Sequence, residues 1–91
     1  MDETNVIRVR YWAAAKAAAG TAEDLLRVTG PQTLADVRRE AVALHPDTRL
    51  EQVLSACSVL IGDEPVGTRA DDQVEVHPGA SVEFLPPFAG G

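Results

Sequence analysis

The stretch "TLADVRREAVALHP", Thr33–Pro46, decides how the rest of the chain must be arranged. Thr33 followed three residues later by Asp36 is a capping-box-like helix start, because a threonine hydroxyl accepts a backbone N–H that the first helical turn leaves unpaired. Leu34, Val37, Ala41 and Leu44 then recur at helical spacing on one side, and Pro46 closes the segment. The other strongly patterned segments alternate as strands do. A lone amphipathic helix among strands has to bury its apolar side against a sheet.

Upstream, "NVIRVRYW" (Asn5–Trp12) places Ile7, Val9 and Tyr11 on one face and Arg8 and Arg10 on the other, the pattern of a half-buried strand. "AAAKAAAG" (Ala13–Gly20) tolerates helix but is short and ends in glycine, so it reads as a turn of helix or a loop. "EDLLRVT" (Glu23–Thr29) is a second strand with Leu26 and Val28 inward, antiparallel to the first. Gly30-Pro31 breaks the chain before the helix.

Downstream, "TRLEQVLSA" (Thr48–Ala56) repeats the start signal, with Thr48 and Glu51 ahead of Val53 and Leu54, and predicts a short second helix. "CSVLIG" (Cys57–Gly62) reads as a buried strand, and "GDEPVG" (Gly62–Gly67) as a turn with a short edge strand after it. "QVEVHPGASVEFL" (Gln73–Leu85) gives two short alternating runs around His77-Pro78-Gly79. The order β-β-α-(short helix)-β-β-β predicts an α+β protein. In it a mixed five-stranded sheet has one main helix packed on one face, with a short second helix besides, which is the β-grasp arrangement. A right-handed crossover then leaves the last strand parallel to the first, with "SVEFL" in the middle of the sheet.

Composition narrows the function classes. Ninety-one residues, 45% apolar and only 4% aromatic, fit one small domain with an aliphatic core. The single cysteine, Cys57, cannot bridge internally, and "MDETNVIRVR" lacks the basic and apolar regions of a signal peptide, so a cytoplasmic location is expected. Eight basic against fourteen acidic residues give a formal charge of −6, which disfavours nucleic acid and membrane surfaces as partners and favours basic protein surfaces.

The remaining polar residues supply no catalytic constellation. Cys57 begins an apolar strand and reads as a small core residue, with neither histidine nor a basic cluster beside it in sequence. His45 falls in a helix's last turn, where a cap or dipole contact explains it, and His77 lies in a turn. Two histidines and one cysteine without close spacing argue against a metal site, and there is no Gly-rich phosphate loop. Asp63-Glu64 and Asp71-Asp72 read as solvated acidic pairs in turns, docking toward a basic enzyme being the lesser alternative.

Chemistry concentrates instead in "PPFAGG", Pro86–Gly91, which divides the chain into a β-grasp domain, 1–85, and an extended reactive tail, 86–91. Pro86 and Pro87 cannot donate to a ladder and launch the chain as a stiff spacer. Phe88 offers an aromatic anchor, while Ala89, Gly90 and Gly91 are slim enough to enter a narrow channel. Six extended residues reach roughly 20 Å. Such a stalk suits delivery of a terminal carboxylate into another protein's active site.

"VIRVRYWAAAKAAAG", "TLADVRREAVALHP" and above all "VEFLPPFAGG" resemble the molybdopterin synthase small-subunit family, within the wider group of ubiquitin-like sulfur carriers that includes the thiamine-pathway carrier. The resemblance runs over essentially the whole chain, with the tail as its one sharp motif. It implies that Gly91 is adenylated by an E1-like enzyme and converted to a thiocarboxylate. It implies too that the tail enters the large synthase subunit and gives its sulfur to a cyclic pyranopterin precursor in molybdenum cofactor biosynthesis. Gly90 would thread the channel, catalytic side chains would sit in the large subunit, and a sulfurtransferase or cysteine desulfurase would supply the sulfur. No cofactor is expected on this chain, and ATP would bind the activating partner. The chain departs from the family pattern at Phe88, where an aliphatic residue is common, and in "GDEPVGTRADDQ", which lacks the Val-Asn-Gly turn. A sulfur carrier for thiamine thiazole or cysteine synthesis, and a ubiquitin-like modifier, stay open as alternatives.

Overall fold

The computed structural model describes residues 5–87, and its first element is the alternating strand β1, Val6–Tyr11. Ile7, Val9 and Tyr11 are buried while Arg8 and Arg10 are exposed, as a period of two requires. The Ala-rich stretch forms a helix, α1 (Ala14–Ala19), where the sequence left a choice between helix and loop. Six residues cannot sustain a helix in isolation. Burial of Ala15 and Ala19 in the core stabilises it, and Gly20 ends it with φ at 76°, donating its N–H to the Lys16 carbonyl at 2.9 Å. Glycine takes that left-handed conformation without a Cβ clash. Strand β2 (Glu23–Arg27) then runs antiparallel to β1, with Leu26 opposite Ile7.

A two-residue strand, β3 (Gln32–Thr33), leads into the main helix α2 (Leu34–Ala43). The helix start is the predicted one: Thr33 Oγ1 accepts the Asp36 N–H at 3.1 Å, while the Asp36 carboxylate pairs with Arg39. Leu34, Val37 and Ala41 are fully buried. Leu44 departs from its predicted place on that face. It is the C-cap residue, where the chain leaves the helix, and is 51% exposed. The second predicted helix is α3 (Leu50–Ala56), with Leu50 and Leu54 buried. Thr48 marks its start by accepting the Leu50 N–H at 3.2 Å and donating to the His45 carbonyl at 2.7 Å.

The remaining strands are β4 (Ser58–Ile61), β5 (Glu64–Pro65), β6 (Glu75–Val76) and β7 (Ser81–Leu85). The main sheet has five strands in the order β2-β1-β7-β4-β5, with β7 parallel to β1 and antiparallel to β4. The predicted edge strand falls inside "GDEPVG", at Glu64–Pro65. The first of the two runs around His77-Pro78-Gly79 does not join this sheet. It forms a separate pair with β3, because the Val74 carbonyl takes the Leu34 N–H at 2.8 Å and Val76 is fully buried. A helix's first N–H groups need acceptors from outside the helix, and here Val74, the residue before β6, supplies one. The turn at His77–Ala80 then aims β7 back along β1, with Gly79 at φ 92° donating to the Val6 carbonyl at 2.8 Å.

One apolar cluster joins the sheet's inner face (Ile7, Val9, Tyr11, Val82, Phe84) to Leu34, Val37 and Ala41 of α2 and to Leu50 and Leu54 of α3. This is the ubiquitin-like β-grasp, and its described residues form three α-helices and a short 3-10 turn at Asp71–Gln73.

Phe84 lies on the central strand with no exposed surface. Phe84→Ala should cost about 3–5 kcal/mol in urea unfolding, whereas Thr33→Ala, which removes only the cap, should cost about 1 kcal/mol.

Candidate functional site

Strand β7 carries the chain from the protected interior to the tail, so the groups that hold its end set where the tail begins. Phe84 stands opposite Tyr11 of β1 and Val59 of β4, and Leu85 opposite Ser58. The Trp12 N–H donates to the Phe84 carbonyl at 3.1 Å, and the Trp12 indole N–H donates to Glu83 Oε1 at 2.9 Å. The Phe84 ring is stacked on Tyr11, with centroids 6.3 Å apart and planes 17° from parallel. The Arg38 guanidinium lies 5.3 Å from the same ring's centroid. Pro86 and Pro87 follow, exposed and outside any strand. Phe88, Ala89, Gly90 and Gly91, the residues to which the sequence assigns anchoring, threading and chemistry, lie outside the described residues.

Two polar assemblies back this strand end. In the first, Asp24 Oδ2 accepts the Tyr11 hydroxyl at 2.8 Å and sits 2.5 Å from His45 Nε2. The His45 ring meets Tyr11 edge-on, 6.0 Å between centroids. His45 therefore ties the segment after α2 to β1 and β2, which replaces the predicted helix-cap or dipole role. Burial, and then the hydrogen bond and charge of Asp24, hold the Tyr11 phenol well above its ordinary range. In the second assembly, Arg38 donates to both Asp71 oxygens, at 2.8 and 3.4 Å, and to the Leu54 carbonyl at 2.8 Å. Asp71 is thus a structural partner rather than a solvated turn acid. The forked guanidinium matches a carboxylate as an ammonium would not.

The sequence reading missed Arg38, although a signal was present. It lies four residues after the buried Leu34, on the inner half of α2, where a cation needs a partner. Cys57 is half-buried against the core, its Sγ donating to the Val53 carbonyl at 3.3 Å. Burial pushes its thiol up, with Arg38 opposing, which leaves a neutral thiol at physiological pH. His77 pairs with Glu75 at 3.0 Å on the surface. Among the described residues no three potential metal ligands cluster, and no helix is long and apolar enough to cross a membrane.

Residues 9–91 match the ThiS family. Over its whole length the chain is 32% identical to the molybdopterin synthase sulfur carrier subunit of Aspergillus niger, all of which is covered. In structure it is similar to SAMP1 of Haloferax volcanii, with a TM-score of 0.73 and 22% identity over 94% of this chain and 99% of that one. It is also similar to a chain of the complex of subunits 1 and 2 of the molybdopterin-converting factor from Helicobacter pylori 26695. There the TM-score is 0.62 and the identity 19%, over 94% of this chain and 99% of that one.

The Tyr11 phenol gives this site a pH signature. Its folded pKa is raised above the ordinary value of 10.0, so its contribution to stability is complete below pH 10 and is lost as pH rises further, where the unfolded chain ionises first. Urea midpoints measured from pH 8 to 11 should therefore fall more steeply for the wild type than for Tyr11→Phe. Tyr11 is the single tyrosine, so phenolate absorbance should appear only together with unfolding.

Proposed function

Because the chain belongs to the ThiS family, we propose that it is a sulfur carrier serving as the small subunit of a molybdopterin synthase. Gly91 is the reacting residue. A carboxylate is a poor electrophile, since attack on it builds further negative charge, so its oxygen first attacks the α-phosphate of ATP on an E1-like partner, forming the acyl adenylate and releasing pyrophosphate. The persulfide of a sulfurtransferase or cysteine desulfurase then displaces AMP to give an acyl disulfide, and a further thiol breaks its S–S bond, forming a disulfide with the donor cysteine and releasing the thiocarboxylate. The tail carries that sulfur into the large synthase subunit, where it passes to the cyclic pyranopterin precursor. The tether raises the effective concentration of sulfur there. No side chain of this domain transfers a proton, and no cofactor is resident on it. ATP binds the activating partner.

The observation that carries this reading is the 32% identity to a sulfur carrier subunit over the whole of both chains. The geometry is compatible with it. The last strand is central, its end is clamped by Tyr11, Trp12 and Arg38, and two exposed prolines follow. Pro86 and Pro87 act as spacer, Phe88 and Ala89 seat the tail in the partner, and Gly90 passes its channel.

Intact-mass analysis of the chain co-expressed with its activating enzyme should show sulfur replacing one oxygen at Gly91. Deleting Gly91 should abolish dithiolene formation by the reconstituted synthase and leave the urea midpoint unchanged. Retained activity in that deletion would sink the reading, and isopeptide adducts through Gly91 would identify a protein modifier instead.

A further inference from the structure

The sheet order β2-β1-β7-β4-β5 leaves β2 with one neighbour among the described residues, so its far side is an edge. Tyr11 donates its N–H to the Ala22 carbonyl and Val28 its N–H to the Asn5 carbonyl, both at 2.9 Å. In an antiparallel ladder the residues that bond a given neighbour alternate. The backbone groups of Glu23, Leu25 and Arg27 therefore point away from β1, along the edge. The Glu23 carbonyl accepts the Thr21 hydroxyl at 3.2 Å and has a second lone pair. Edge strands are ordinarily blunted by proline, lysine or a bulge, because a row of outward N–H and C=O groups is a template for another chain. Glu23–Arg27 contains neither proline nor lysine and pairs with β1 in unbroken register.

The side chains along this edge carry a pattern. Leu26 is buried inward, so Glu23, Leu25 and Arg27 share the outer face of the sheet, where Leu25 is 49% exposed. Leu44, the exposed end of α2, belongs to the same side of the molecule, since its neighbour His45 is bonded to Asp24, the neighbour of Leu25. Within its own chain Glu23 lies 3.9 and 4.0 Å from Arg8 and Arg10, contacts between exposed groups at the outer limit of an ion pair. Laying a second copy antiparallel along the edge, with Leu25 opposite Leu25, sets each Glu23 opposite Arg27 of the other copy. Sliding the copies by two residues breaks both charge pairs, and sliding them by four sets Glu23 against Glu23 or Arg27 against Arg27. The strand is its own complement in a single register.

We propose that β2 is the interface of a weak symmetric homodimer, in which two chains join antiparallel through Glu23, Leu25 and Arg27 into one continuous sheet. The two-fold axis passes through the Leu25 pair perpendicular to the sheet, so each contact is made twice and the helices of both copies stay on one face. Because β7 runs parallel to β1 in each copy, the two tails leave from opposite ends of the joined sheet. Neither obstructs the other, and the dimer is independent of what the tail carries. A pair of five-residue strands buries less than a standard interface, so the dissociation constant is on the order of 100 µM.

The test is sedimentation equilibrium of the full-length chain at concentrations from about 10 µM to about 1 mM, which bracket that constant. The weight-average mass should rise from 9.7 kDa toward twice that value. Leu25→Lys sets two cations against each other on the axis and should weaken association by about 10-fold or more, as should Glu23→Arg, which then faces Arg27. The double variant Glu23→Arg with Arg27→Glu exchanges the charges and should return to within about threefold of wild type. Amide hydrogen exchange at Leu25 should slow as the concentration rises, since its N–H is bonded across the axis. A chain that stays monomeric up to about 1 mM overturns the proposal. So does a dimer indifferent to Leu25→Lys, a folded double variant that fails to associate, or a dimer in which Leu25 exchange is unchanged. Leu25→Lys alters an exposed position, so it decides the matter even if the double variant folds poorly. Each of these results leaves the sulfur-carrier reading standing.

Discussion

The parallel ladder between β1 and β7 is the constraint on which the remainder of the structure depends. Tyr11 and Phe84, far apart in sequence, face each other across it and stack their rings, and both are almost wholly buried. Parallel neighbours cannot be joined by a hairpin, so the intervening chain has to cross over the sheet. The helices α2 and α3 lie in that crossover, and their leucines close the core over the inner face. Once β7 is enclosed between β1 and β4, its last residue must emerge at the sheet's end. A tail leaving from there has a fixed origin.

The polar groups of the domain reinforce the same point. Asp24 receives Tyr11 and His45 on a single carboxylate oxygen, and Arg38 spans Asp71, the Leu54 carbonyl and the face of Phe84. Each assembly joins elements remote in sequence, and each converges on an aromatic of the β1–β7 pair. No buried side-chain nitrogen or oxygen among the described residues lacks a partner. That matters in a small domain, where one unpaired polar group would cost about 1–3 kcal/mol of a modest total stability. Trp12 directly follows β1 and is exposed, so the contacts that fix the end of β7 also fix the orientation of an exposed aromatic beside it.

A division of labour follows. Under the sulfur-carrier proposal the domain supplies position, and the chemistry belongs to a backbone carboxyl group that other proteins activate. The polar side chains described here serve structure, which is compatible with that division: the half-buried Cys57 is bonded to a carbonyl, His45 to Asp24, and His77 to Glu75.

The sequence by itself determined whatever follows from local periodicity and turn chemistry. Ile7, Val9 and Tyr11 alternate, Leu34, Val37 and Ala41 recur at helical spacing, and Thr33 caps the helix as its hydroxyl demands. From these came the order of elements, the mixed sheet and the central place of "SVEFL". Only the tertiary structure decided that the Ala-rich stretch is helical, since six residues owe that to burial against the rest of the core rather than to propensity. It also moved β6 out of the main sheet to satisfy the start of α2, left Leu44 in solvent, and gave His45 and Asp71 partners 21 and 33 residues away. Periodicity reports which face of an element is apolar. It cannot report which distant polar group a charge will meet, because that pairing exists only after the chain has crossed the sheet.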